Sequence, residues 1–375
     1  MTEGAGAVRR IAVNTGGGDA PGLNAVIRAT VLASLNRGWE VYGIEDGYGG
    51  LLEDEEGSLV RLERRDVRGI THLGGTILGT TNRGNPFAWP DPDAAEGTRD
   101  RSDEVVESFR EAGLDALVAI GGDGSLHIAS DLYEKGLPVV GVPKTIDNDV
   151  AATSHSFGFQ TAVETATDAL GKVHSTAESH QRIMVVEVMG RHTGWIALHS
   201  GLAGTADVIL IPEIPYSIDC VCGKLRERER KGRDFSIVCV AEGARPLDGE
   251  PVTKTVPRGE GEQERLGGIG RKVAEELAAC TGKETRSLVL GHLQRGGSPT
   301  AFDRLLALRF GAAAVRCASA GEYGCMVCLD DDDVRAVPLA EALARRKSVS
   351  PGGDLVQTAR ALGISFGDPA NDLCG

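Results

Sequence analysis

The strongest constraint on this chain is an alternation: short apolar, β-branched runs recur along it, separated by helical stretches. RRIAVN (9–14), EVYGI (40–44), DALVAI (115–120), LPVVGV (137–142), IMVVEV (183–188), DVILI (207–211), FSIVCV (235–240) and RSLVLG (286–291) read as buried strands. Helices are predicted around 22–36, after Ser125, and around 157–178, 194–204, 217–230, 263–280 and 302–319. Continuously apolar strands alternating with helices predict an α/β protein whose mainly parallel sheets are covered on both faces. A chain of 375 residues holds two such domains.

Composition narrows the function. Apolar residues make up 41% and charged residues 25%, a balance that excludes wholesale disorder. No apolar run is long enough to span a bilayer as a helix, and MTEGAGAVRRIAVN lacks the apolar stretch of a secretory signal. The expected compartment is the cytoplasm, with no membrane partner. A net charge of −14 offers no basic footprint for nucleic acid, so any phosphate binding has to rest on local positive charge. Eight cysteines are too few for a disulfide scaffold and are expected as reduced, packed thiols. CMVC (325–328) reads as a strand rather than a metal or redox pair. Segments 88–104 and 245–268 read as polar surface loops, and Asp330–Asp333 as a solvated turn.

Glycine is the informative excess: 51 of 375 residues, against a usual share of about 7%. Much of it clusters near strand ends, where open α/β sheets bind ligands. NTGGGDAPGLNAVIR (14–28) follows a strand and opens a helix, as a phosphate cradle or a tight βα turn would. LGGTILGTTNRGNPF (73–87) adds Arg83 to a glycine turn. In IGGDGS (120–125), Asp123 is flanked by glycines that let a phosphate approach, and it supplies a hard oxygen for Mg²⁺. Ser125 is expected there as a helix N-cap. In PKTIDNDV (143–150), Asp147 and Asp149 stand two apart, so an extended segment would put both carboxylates on one side. Such a pair suits a general base with an orienting partner, and Lys144 and Thr145 add a cation and a hydroxyl. An Asp/Asn turn is the structural alternative. Further along, Arg182, Met189, Gly190, Arg191, Glu242, Arg286, His292 and Arg295 fall around three more strands. Arginines there suit a sugar phosphate, which they grip with bidentate forks.

The ordered set GGDAPG, GGDGS, PKTIDND, SHQRxxVVEVMGR and GHLQRGGSP, from about residue 9 to 320, resembles the phosphofructokinase family. The resemblance implies two doubly wound domains with the active site in the cleft between them. One, 1–158 plus about 294–349, would bind the phosphoryl donor; the other, 159–293 plus about 350–375, would bind fructose 6-phosphate. Asp147 would take the proton from the sugar 1-hydroxyl, with Asp149 beside it and Thr145 contacting the phosphoryl group in flight. Asp123 would bind Mg²⁺. Gly18, Tyr48, Arg83, Gly124, Ser125 and Lys144 would line the donor pocket; the family pattern has one residue fewer between glycine and Arg83. Met189, Gly190, Arg191, Glu242, His292 and Arg295 would hold the sugar phosphate. Arg182 and Arg286 would reach the site of a neighbouring subunit in a homodimer or homotetramer.

The donor signature is mixed. Gly124 is similar to ATP users of the family and Lys144 to pyrophosphate users, a combination that resembles the ATP-using, mixed-substrate members found in actinobacteria. The expected activity is ATP-dependent phosphorylation of fructose 6-phosphate, with a pyrophosphate-dependent, reversible phosphotransferase as the alternative. Of two effector-binding arginines that well-studied bacterial members carry in the first long helix, Arg28 matches one and Leu32 replaces the other, so a weak or absent effector response is expected.

Overall fold

In a computed structural model, the structure describes residues 8–52, 58–95, 97–249 and 267–371. Residues 250–266, most of the predicted loop 245–268, lie outside the described residues. In chain order the first stretch runs β1 (Arg10–Thr15), α1 (Leu23–Leu35), β2 (Glu40–Ile44), α2 (Gly49–Leu52) and β3 (Leu59–Arg61). It continues through β4 (Trp89–Pro90), β5 (Thr98–Arg99), α3 (Ser102–Glu111), β6 (Ala116–Gly121), α4 (Asp123–Glu134), β7 (Val139–Thr145) and β8 (Phe157–Gly158). Next come α5 (Phe159–His180), β9 (Ile183–Val188), α6 (Trp195–Ala203), β10 (Val208–Leu210), α7 (Ile218–Arg230), β11 (Ser236–Ala241), α8 (Ile269–Thr281) and β12 (Thr285–Val289). The last elements are α9 (Ala301–Ala320), β13 (Cys325–Asp330), β14 (Asp333–Pro338), α10 (Leu339–Leu343) and α11 (Asp354–Ala361).

The chain divides into two compact units, one made of residues 1–161 and 295–346, the other of 162–294 and 347–375. The first unit's sheet has the order β14-β13-β7-β6-β1-β2-β3, with β8 also paired to β7. Only β2–β3 and β13–β14 are antiparallel in it. Alternate strand residues serve opposite faces, as the pleat requires. Ile11, Val13, Val118 and Ile120 pack under α1 and α9, whereas Ala12, Leu117 and Ala119 pack with Val105, Phe109, Ala129 and Leu132 of α3 and α4. The second unit's sheet, β10-β11-β9-β12, is parallel throughout. Val185, Val208 and Val240 lie against Leu225, Val273 and Leu277 of α7 and α8.

The predicted strands and helices agree in position with the structure to within a few residues, except that the start of helix 263–280 lies outside the described residues, and CMVC forms most of β13; β12, expected to be buried, is instead an exposed edge strand. Other expectations need correction. Segment 88–104 is not plain loop: β4 pairs with β5, and Asp100 accepts from the Ser102 amide and hydroxyl at the start of α3. Cys222 and Cys280 form a disulfide rather than two packed thiols. Helices α7 and α8 bring them together on one face of the second sheet, a proximity invisible across 58 residues of sequence. Cys239, Cys317, Cys325 and Cys328 are free and buried. Two more corrections, at residues 146–149 and at Ser125, belong with the site.

One close backbone approach ties the ends of β9 and β11 together. Gly243 donates to the Gly190 carbonyl at 3.1 Å, and a Cβ at position 243 would fall 2.0 Å from the Arg191 carbonyl oxygen. The obstacle is backbone and cannot rotate away. Gly243→Ala is therefore expected to destabilise the protein by about 1–3 kcal/mol, read as a lower urea midpoint with unchanged m value.

Candidate active site

The first unit's register aligns three motif-bearing strand ends. Thr15 of β1 pairs with Ile120 of β6, and Gly121 of β6 pairs with Pro143 of β7. The chain leaves β1 for β2 on one side, while β6 lies on the other. The switch between β1 and β6 opens the crevice in which open α/β sheets hold ligands. The turn after β1 favours glycine: Gly17 has φ +76°, and a Cβ on Gly16 would fall 2.9 Å from the Ser125 hydroxyl. Helix α4 starts at Asp123 behind an extended Gly122 cap. Ser125 is therefore not the N-cap predicted for it. It sits in the first turn, with its hydroxyl against the β1 turn. A Cβ on Gly124 would meet nothing within 4 Å.

Lys144 is only 2% exposed near the end of β7. Its ammonium donates to the Gly18 carbonyl. Burial above all, with Arg295 adding to it, lowers its pKa to about 7, although Asp19, Asp147 and Asp149 oppose the shift. Residues 146–149 are not extended, contrary to the sequence expectation: Asn148 has φ +50°, and its side chain accepts from the Ser156 amide. The turn, rather than strand periodicity, brings the two carboxylates together. Asp147 donates its amide to the Thr145 hydroxyl at 3.0 Å. Its carboxyl lies deep while keeping some access. Burial raises its pKa, against the pull of Arg295, Lys144 and Arg346. Burial and the neighbouring Asp147 charge raise Asp149 to about 6.

Arg295, predicted with the sugar-binding set, belongs to the first unit and donates to the Asp19 carbonyl at 3.0 Å. Arg346, which no motif reading singled out, has Nη2 3.1 Å from Asp123 Oδ2 and Nε 3.5 Å from Asp149 Oδ2. It stands 223 residues from Asp123 in an Arg-Arg-Lys run that reads as a solvated charge run. Arg83 is exposed on a loop tied to the same glycine turn, through the Gly17 amide to the Thr81 carbonyl and the Thr80 hydroxyl to the Gly17 carbonyl. Tyr48 is buried among Leu51, Leu52 and Phe109. Burial raises its phenol pKa, and the Asn14 side chain opposes that.

The second unit repeats the principle. Val188 of β9 pairs with Ala241 of β11, and Glu187 of β9 with Val289 of β12. Met189, Gly190 and Arg191, then Glu242, then exposed His292 thus follow three adjacent strand ends. Arg182 and Arg286 are not among them. Both lie at the amino ends of β9 and β12 and share Glu284, at 2.9 and 2.6 Å. Arg28 of α1, read from sequence as one effector-binding position, donates to the Val67 carbonyl at 2.8 Å.

Parallel sheets with glycine turns and clustered carboxylates at their strand ends are those of the doubly wound α/β class. The sequence profile of the family described as Phosphofructokinase matches residues 10–318. A curated ATP-dependent 6-phosphofructokinase from Chloroflexus aurantiacus is 54% identical over 96% of this chain and 98% of its own length. A pyrophosphate–fructose 6-phosphate 1-phosphotransferase from Streptomyces coelicolor is 48% identical over 91% of this chain and 96% of its own. Phosphofructokinase from Pichia pastoris, crystallised in the T-state, superposes with a TM-score of 0.77 at 34% identity. The match covers 92% of this chain but only 36% of that larger one. The chain belongs to the phosphofructokinase family.

Proposed function

We propose that this protein is an ATP-dependent 6-phosphofructokinase. It transfers the terminal phosphoryl group of ATP to the 1-hydroxyl of fructose 6-phosphate, giving fructose 1,6-bisphosphate and ADP. The observation that carries the reading is the convergence of the β1, β6 and β7 ends, which sets half-buried Asp147 within the fields of Lys144, Arg295 and Arg346. Asp147 accepts the hydroxyl proton; Thr145, whose hydroxyl fixes the Asp147 amide, faces the phosphoryl group. The glycine turn of Gly18, with Gly124, Ser125, Lys144 and the Arg83 loop, receives the donor phosphates, as positioning of an in-line donor requires. Tyr48 backs that turn from the core. Met189, Gly190, Arg191, Glu242, His292 and Arg295 bind the sugar phosphate. The first unit is the donor domain and the second the sugar-phosphate domain.

Among the described residues no three carboxylate, histidine or cysteine side chains gather as a self-sufficient metal cage. Two carboxylates held by one cation fit Mg²⁺, which takes one or two carboxylates and completes its shell with phosphate oxygens and water. Asp123 and Asp149 would hold it, and it would supply charge neutralisation on the donor phosphates. Arg182 and Arg286, turned to the amino end of their sheet, serve a neighbouring subunit's site in a homo-oligomer. No helix among the described residues is long and apolar enough to cross a membrane, and we place the enzyme in the cytoplasm.

Pyrophosphate as donor is the second reading, favoured by the buried Lys144 amine and by the Streptomyces relative. Product formation from fructose 6-phosphate and Mg²⁺, with ATP or pyrophosphate in parallel, separates the two. Turnover with ATP alone is expected. Turnover with pyrophosphate alone would show that Lys144 outweighs Gly124 in choosing the donor.

A further inference from the structure

Two negative groups from different strand ends converge on one guanidinium. Asp123 opens α4 after β6, Asp149 lies in the turn after β7, and Arg346 closes the first unit's second segment. The arginine is anchored by backbone as well as charge, since Val150 and Arg346 form an antiparallel bridge. Its side chain is 40% exposed, while those of Asp123 and Asp149 are 27% and 11% exposed. Other cationic side chains lie near this cluster. Lys144 and Arg295 lie on the Gly18 side, where they bond the Gly18 and Asp19 carbonyls, and His127 Nδ1 is 3.8 Å from Asp123 Oδ1. Arg346 alone, among the described residues, makes ion pairs with both Asp123 and Asp149.

We propose that Arg346 is the built-in counter-ion of the Asp123–Asp149 pair and competes with the divalent cation for these carboxylates. Resting on the reading of Asp123 and Asp149 as the cation's ligands, it goes beyond that reading by assigning a residue that tunes how tightly the cation is held. Oxygen atoms occupied by a guanidinium are less available to a metal, and a positive charge a few ångströms away repels a second one. Arg346 is thus a positioning residue: it fixes the carboxylates in register, and it makes cation binding depend on the additional oxygens that a phosphorylated donor brings.

The test is binding of Mn²⁺ alone to the full-length protein, followed by the loss of its free-ion electron paramagnetic resonance signal without nucleotide. Arg346→Gln is expected to tighten Mn²⁺ binding about three- to tenfold at low salt. Arg346→Lys, which keeps the charge, is expected to stay near wild type. Unchanged or weaker binding in Arg346→Gln, or equal tightening in Arg346→Lys, overturns the competition. Asp123→Asn separates the two levels of the argument. If it binds Mn²⁺ like wild type, the cation-site reading falls and the proposal with it. If it loses Mn²⁺ while Arg346→Gln gains none, only the competition falls. Thermal melts of each variant report whether the fold is retained.

Discussion

Asp147→Ser is expected to lower turnover on fructose 6-phosphate by about 10²–10⁴, the range over which a positioned general base contributes. The structural case rests on placement. Asp147 follows β7 in a turn whose own backbone is fixed by the Thr145 hydroxyl, and the left-handed Asn148 beside it is held by Ser156. Serine removes the carboxylate without enlarging the side chain, so the turn keeps its hydrogen bonds and the protein its melting temperature. The same burial gives a pH signature. Desolvation raises Asp147, and Asp149 lies at about 6, so the pair holds its protons to higher pH than ordinary carboxylates do. A base works only when deprotonated. In the wild type, kcat/KM, which reports free-enzyme groups, is expected to fall as pH drops into the raised range where these buried carboxyls take up protons, and to rise towards a plateau above it. Turnover unchanged in a folded Asp147→Ser variant would remove Asp147 from the role of base.

The central strands were legible because they are buried on both faces, and continuous apolar runs such as IMVVEV need no partner information to be recognised; RSLVLG misled in burial, because β12 is an edge strand with Leu288 and Val289 exposed. The candidate-site motifs could be picked out for a related reason: a strand end followed by glycine and aspartate is a local pattern. What failed was local reasoning about hydrogen bonds. Ser125 looked like a cap, but Gly122 takes that position and frees the hydroxyl to pack on Gly16. The carboxylate pair was found by the wrong geometry, since a turn and not an extended strand joins its members. Contacts made across long stretches of chain left no trace at all. Arg346 reaches Asp123 only because the chain returns to the first unit at Arg295 and stays in it until just past α10, and the Cys222–Cys280 pair depends on how α7 and α8 pack.

Gly124→Asp is expected to reduce kcat/KM for ATP by about 10²–10³-fold while leaving the fold intact. Nothing lies within 4 Å of a Cβ at this position, so the side chain enters without a clash. An acidic residue in the first turn of α4 also suits the helix dipole. The penalty falls on the donor. A carboxylate about 4 Å from a nucleotide α-phosphate costs about 4 kcal/mol at an effective dielectric of 20, and each 1.36 kcal/mol is a factor of about ten in rate. Lys144 and a divalent cation offset part of that, hence the lower bound. Pyrophosphate has no third phosphate to pass position 124, so its use is expected to be spared, and the ratio of the two kcat/KM values is the quantity to follow. If ATP and pyrophosphate are depressed equally, the new charge acts on the shared terminal phosphates. If ATP use is untouched, the nucleotide does not run past Gly124, and the steric and electrostatic case for ATP at this site fails with it.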